Sequence, residues 1–215
     1  MQSQKDDFTL KNYERCLKEA KILNYDFYLL QDWQKADESR SIILRHDVDT
    51  QLDVALQMAK IEKENNVKST YFIRLHSHSY NVLCLKDFDK INQIKKMGHE
   101  IGLHYESDFY SIIKQKTITY LKKEIELLEV VFNLKIKSIA PHEPSRTNKF
   151  HIDEIDDIVQ AYDKQICNKF KYISDSSCRW RDGSFYENLM KKNCENLYVL
   201  THPYWWYNKT PIENY

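Results

Sequence analysis

Apolar positions follow two rhythms along the chain. Leu10, Tyr13, Leu17, Ala20 and Leu23 recur every three or four residues, which predicts a helix with Thr9 as its N-cap. Leu52, Ala55, Leu56, Met58, Ala59 and Ile61 predict a second helix, running to about residue 65. Phe88, Ile91, Ile94 and Met97 predict a third, with Gly98 where a C′ glycine belongs, and residues 117–132 a fourth. Between them stand short apolar or β-branched runs: 41–45 (SIILR), 69–75 (STYFIRL), 99–103 (HEIGL), 135–140 (stopped by Pro141), 171–174 and 197–200. Each predicts a buried strand. Residues 26–30 predict a further short strand, 35–40 a charged loop, and 155–161 and 185–192 helices.

Strand, loop and amphipathic helix in repetition describe a parallel sheet with helices outside it. No low-complexity linker or internal repeat divides the 215 residues, so one domain is expected. Its body would be residues 41–206, with 1–40 a helical and strand extension covering the bottom or open side.

Parallel α/β folds gather their sites beyond the carboxyl ends of the strands. Those ends are polar here in a consistent way. The runs lead into His46-Asp47-Val48-Asp49, His76-Ser77-His78, His104-Tyr105-Glu106-Ser107-Asp108, Pro141-His142-Glu143, Asp175, and Thr201-His202-Pro203. Of the eight histidines, His46, His76, His78, His104, His142 and His202 follow a strand, and His99 opens one. A single histidine after a strand is ordinarily a loop residue, and Asp49 or Thr50 could simply cap the next helix. Imidazoles and carboxylates from several segments at the same sheet end instead form a donor set suited to Zn²⁺ or another divalent ion. That convergence favours an α/β barrel over an open doubly wound sheet.

Composition narrows the function. Thirty-two basic residues balance thirty-two acidic ones, which argues against a binder of nucleic-acid backbones. With only Gly98, Gly102 and Gly183, no GxGxxG or Walker loop can be built. No apolar run approaches the ~20 residues of a membrane span, and the polar N-terminus lacks a signal-peptide core. The five cysteines, Cys16, Cys84, Cys167, Cys178 and Cys194, are odd in number and contain no CxxC pair. Free thiols in a reducing, cytoplasmic setting are therefore expected. No GxSxG elbow supports a serine triad. Fifteen tyrosines within 13% aromatic residues suggest a core together with a polar-aromatic groove.

The segments LRHDVDT (44–50), STYFIRLHSHSYN (69–81), GHEIGLHYE (98–106), APHEPSR (140–146), YISDSSCRWRDG (172–183) and YVLTHPYWW (198–206) occur in order over nearly the whole chain. Together they resemble the polysaccharide deacetylases, carbohydrate esterases of the NodB-homology fold, and most closely the branch whose first motif reads RHDVD. The resemblance implies an incomplete parallel (β/α) barrel and metal-dependent removal of an N-acetyl (or N-formyl) group from an amino sugar or sugar conjugate, in surface-polysaccharide synthesis. It implies Asp47 as general base, Asp49 as metal ligand, His104 as the first ligand of the second motif, Leu200 in the acyl pocket and His202 as acid. The family's second histidine ligand, four residues on, is Asp108 here; Asp108 is expected to replace it, with Glu106 the alternative. In the third motif His142 stands where the family carries an arginine that orients the base. Orienting Asp47, ligating the metal and binding sugar are all open to it. The ion implied is zinc, and Trp180 and Arg181 are expected beside the sugar, although core or rim packing suits them equally. His76 and His78 fall beside the substrate groove rather than forming a metal pair. A sugar-binding homologue with altered catalysis, or an amidase for a small non-sugar amide, would share these motifs.

Overall fold

A computed structural model of the chain describes residues 7–36, 40–155, 157–191 and 196–214; Cys194 lies outside them. The strands are β1 (Asp26–Tyr28), β2 (Ser41–Val48), β3 (Thr70–Arg74), β4 (Glu100–Tyr105), β5 (Ser138–Pro141), β6 (Val159–Gln160), β7 (Lys171–Ser174) and β8 (Leu197–Thr201). Their pairings are all parallel. From β2 the sheet runs through β3, β4, β5 and β6 on one side and through β8 and β7 on the other. This is a single circular order, broken only between β6 and β7. The fold is an incomplete parallel (β/α) barrel.

The curl is visible in what meets inside. Ile43, Phe72, Ala140 and Tyr198, from four different strands, share one buried cluster with Ala161 just beyond β6. The Tyr198 hydroxyl donates to the Ala161 carbonyl at 2.9 Å. In a flat sheet, five inter-strand steps would hold β8 and β6 about 24 Å apart. Gly102 makes room for this interior, because a Cβ there would lie 2.5 Å from the Phe72 ring and 2.9 Å from the Ser138 carbonyl. The lower end is plugged by Leu30, fully buried, whose N–H donates to Thr70 Oγ1.

Helices cover the outside. Leu10–Ile22, α1, begins at Thr9, whose side chain accepts from the Asn12 N–H. Its buried face packs with Ile42 and Leu44 of β2. Leu52–Glu64 (α2), Leu85–Lys96 (α3) and Thr117–Phe132 bury their apolar faces against Tyr71, Ile73, Ile101 and Leu103. Gly98 follows α3 at φ +93°, a conformation glycine adopts without strain. Between α2 and the sheet lies a buried polar knot. Glu62 accepts from Tyr13, from Tyr71 (2.8 Å) and from Ser69 (2.7 Å), and stands 2.7 Å from His46 Nε2.

Two expectations fail. The first strand continues through His46, Asp47 and Val48, because β3 residues Tyr71, Phe72 and Ile73 pair with them. The helix expected over 155–161 does not form across its described residues 157–161: Val159 and Gln160 pair with Ser138 and Ile139. The helix comes later, Lys164–Lys169, where Asp163 accepts from the Gln165 N–H as its cap. Hydrogen bonds from an adjacent strand outweigh local propensity there.

Candidate active site

Alternation along β2 decides what faces the barrel interior. Ile43 points inward and Ile42 and Leu44 outward, so Arg45 and Asp47 follow Ile43. The register aligns Arg45 with Leu200 and His104 with Ala140. His202 and His142 lie two residues beyond these partners, on the same faces. The upper end of the barrel thus collects Asp47, Asp49, His104, His142, Leu200 and His202 around a cleft of about 830 Å³.

His104 is fully buried, and its Nδ1 lies 3.0 Å from the Ala140 carbonyl. A carbonyl only accepts, so Nδ1 carries the proton and Nε2 is left with a lone pair. That Nε2 lies 3.2 Å from Asp49 Oδ1 and 3.9 Å from Asp47 Oδ2. Two acceptors facing each other at this distance require a cation or a second proton between them. Burial opposes protonation of His104, but Asp47 and Asp49 outweigh it and raise its pKa. Burial likewise works against the Asp49 charge, yet His104, His202 and His142 hold its carboxyl well below the usual range.

His142 Nε2 lies 3.6 Å from the same Asp49 oxygen. Tetrahedral zinc with bonds of 2.0–2.1 Å has ligand atoms about 3.3 Å apart. The two contacts of Asp49 Oδ1 match that spacing. Among the described residues no three such side chains are already closed into a metal cage. However, Asp49 Oδ1 is buried with no hydrogen-bond partner there, as an ion-binding carboxylate would be, and Asp47 Oδ1 beside it is likewise unpartnered. One carboxylate and two imidazoles fit a borderline divalent ion such as zinc.

Asp47 is steadied from below by Arg45, whose Nη2 is 3.5 Å from Asp47 Oδ2 and donates to the Tyr162 hydroxyl at 2.7 Å. The guanidinium is fully buried among the rings of Phe72, Tyr162 and Tyr198, with centroids 5.6, 4.6 and 5.3 Å away. His202 is held by Asp175, which is fully buried and accepts from His202 N–H at 3.0 Å, from its Nδ1–H at 2.6 Å and from Trp206 Nε1–H at 2.9 Å. Burial pulls the imidazole down, but Asp175, with help from Asp49 and Asp47, raises its pKa to about 9.

Other expected residues separate. Leu200 and Arg181 line the cleft. Asp108 does not line the cleft. It precedes a short helix (Phe109–Ile112), and its carboxylate pairs with Arg146 at 2.9 Å. Four residues is one helical turn, but the chain between His104 and Asp108 is strand and turn, so the spacing does not bring them together. Trp180 does not line the cleft either: it is 5% exposed and stacks on Phe8 at 6.3 Å. Glu106 stands behind His142 instead, its Oε1 2.9 Å from His142 Nδ1. Arg45 and Asp175 went unread as site residues in the sequence. Arg45 lies at an inward position by alternation, and Asp175 at a strand end, which were the available signals.

The class is defined by an incomplete barrel, seven strands in barrel order with β1 paired alongside β2, carrying an acidic and imidazole site at its carboxyl end. No protein-family model matches the chain, and no curated protein does. Among solved structures, it is similar to the Streptococcus pyogenes deacetylase PplD in complex with acetate (16% identity, 60% of each chain, TM-score 0.46). It is also similar to a family 4 carbohydrate esterase from Bacillus anthracis (21%, 64% of this chain and 60% of that one, 0.40). A third likeness is to the peptidoglycan deacetylase PdaC from Bacillus subtilis (14%, 78% and 77%, 0.46). A CE4-family pseudoenzyme from Bacillus anthracis is similar too. Nothing in these likenesses singles out the RHDVD branch. The chain spans about 60% of the length of the first two. At such identities and scores they do not carry an activity. No helix among the described residues is long and apolar enough to cross a membrane.

Proposed function

We propose that the chain is a metal-dependent deacylase of the polysaccharide deacetylase type, removing an N-acetyl or N-formyl group from an amino sugar. The observation that carries this is the pairing of His104 Nε2 with Asp49 Oδ1 at 3.2 Å while His104 Nδ1 is committed to a carbonyl. Asp49 and His104 would hold the ion. A divalent ion at such a site lowers the pKa of water and polarises the acyl oxygen. Asp47, held by Arg45, takes the proton from the attacking water. His202 is protonated at neutral pH, and gives its proton to the departing amine. Leu200 lines the acyl end of the cleft. Phe150, Tyr162, Tyr172 and Trp205, with Arg181, supply the aromatic and cationic walls that suit a sugar or sugar conjugate. A cytoplasmic role in surface-polysaccharide synthesis belongs to this proposal.

The test is acetate or formate release from a panel of N-acylated amino sugars by zinc-loaded protein, with metal content measured in parallel. Asp47→Asn should keep the metal and lose turnover. Asp49→Ala should lose both, and full metal occupancy in that variant would overturn the assignment. Sugar binding without release by the wild type would make the chain a binding homologue, and turnover confined to small amides would make it a different amidase.

A further inference from the structure

We propose that the third protein ligand of the ion is His142, and that Glu106 is its positioning residue. This rests on the metal-dependent function above and adds the ligand that the sequence expectation placed at Asp108. Three features of the site support it.

First, His142 Nε2 is 3.6 Å from Asp49 Oδ1, the oxygen that also faces His104. The two imidazoles meet edge to face, with centroids 5.3 Å apart and planes at 82°, so two rings approach one carboxylate oxygen without stacking over it. Second, the other side of the ring is backed. Glu106 Oε1 is 2.9 Å from His142 Nδ1, off the axis of an ideal hydrogen bond, and Glu106 is held in turn by Arg74. The His142 N–H donates to the Tyr105 carbonyl at 2.8 Å, which fixes the backbone beneath the ring. A carboxylate behind a ligating histidine sets the tautomer that leaves Nε2 free and raises its basicity. Third, Asp108 is engaged elsewhere: Arg146 Nη1 takes its carboxylate at 2.9 Å. The site thus has two histidines and one carboxylate, with the second histidine carried on a neighbouring strand end. Such a set favours zinc, iron or cobalt over the all-oxygen ligation of magnesium or calcium.

The test is zinc titration of metal-stripped full-length protein by calorimetry, with cobalt(II) absorption spectra of the same samples. His142→Ala and His142→Asn should each lose at least 100-fold in zinc affinity and change the cobalt band. Glu106→Gln should lose about 10–100-fold, with the metal-free melting temperature unchanged. Asp108→Asn should stay within about twofold of wild type. Wild-type affinity and spectrum in both His142 variants would overturn the ligand assignment. Wild-type affinity in Glu106→Gln, or a loss matched by a fall in metal-free melting temperature, would overturn the positioning role. Asp49→Ala separates the two levels: if it binds zinc like wild type, the metal-dependent function itself fails, whereas loss in Asp49→Ala with none in the His142 variants removes only this inference.

Discussion

Asp175→Asn isolates what a buried carboxylate does for His202. The wild-type imidazole has its pKa raised from an ordinary 6.5 to about 9, chiefly against burial and through Asp175. That difference corresponds to about 3 kcal/mol favouring the imidazolium. Removing the charge should return His202 to its ordinary value or below, since burial then acts with less opposition. At about pH 8 the protonated fraction would fall about 30-fold, while at about pH 6 most of it would remain. Because the protonated form is the acid, the alkaline limb of the kcat profile should move down by about 2.5 pH units. The asparagine Nδ2 also cannot accept from Trp206 Nε1–H, so about 1–3 kcal/mol of stability should be lost as well. Two assays separate these effects: an NMR titration of His202 in folded protein, and the pH profile of acyl release. A His202 pKa in the variant within half a unit of wild type, or a loss of rate uniform across pH, would refute the reasoning.

Further outcomes follow from other parts of the molecule. Glu62 is held at a pKa of about 2, against burial, by His46, His99 and Ser69. Its folded pKa lies below its unfolded one, so it stabilises the fold above about pH 4.5 and that contribution disappears as pH falls toward 2. Denaturant unfolding should show about 3 kcal/mol lost across that window in wild type, and a smaller pH dependence in Glu62→Gln. Gly102→Ala should cost about 1–3 kcal/mol by pressing on Phe72 and the Ser138 carbonyl, read by the same unfolding experiment. Trp180→Ala should lower stability by about 3–5 kcal/mol and leave KM for the sugar within about twofold, whereas a selective rise in KM would restore Trp180 to the groove.

Much of the architecture is legible because apolar runs and helical periods report burial directly. The run at 41–45 and the helix at 117–132 needed nothing else. The cleft residues Asp47, His104 and His202 were legible for the same reason: they stand at or just past the carboxyl ends of apolar strands. Period two could have gone further. Ser138, Ala140 and His142 share a face, as do Leu200 and His202, which places His142 inside the barrel before any contact is known. The spacing of four does not bring Asp108 to His104, because it implies proximity only along a helix. Arg45 was hidden by its charge: nothing local says that Phe72, Tyr162 and Tyr198, from three distant segments, will enclose a guanidinium. Glu62 was hidden likewise, since a lone acid on an amphipathic helix ordinarily faces water and its partners come from α1 and from strands β2 and β3. Trp180 could be assigned to core or groove only once Phe8 was known to lie against it.

The most direct measurement is anomalous diffraction at the zinc edge from crystals of zinc-loaded protein. One peak about 2.0–2.2 Å from an Asp49 carboxylate oxygen, His104 Nε2 and His142 Nε2 is the expected result. A peak ligated by Asp108, or no peak between Asp49 and His104 at saturating zinc, would contradict it.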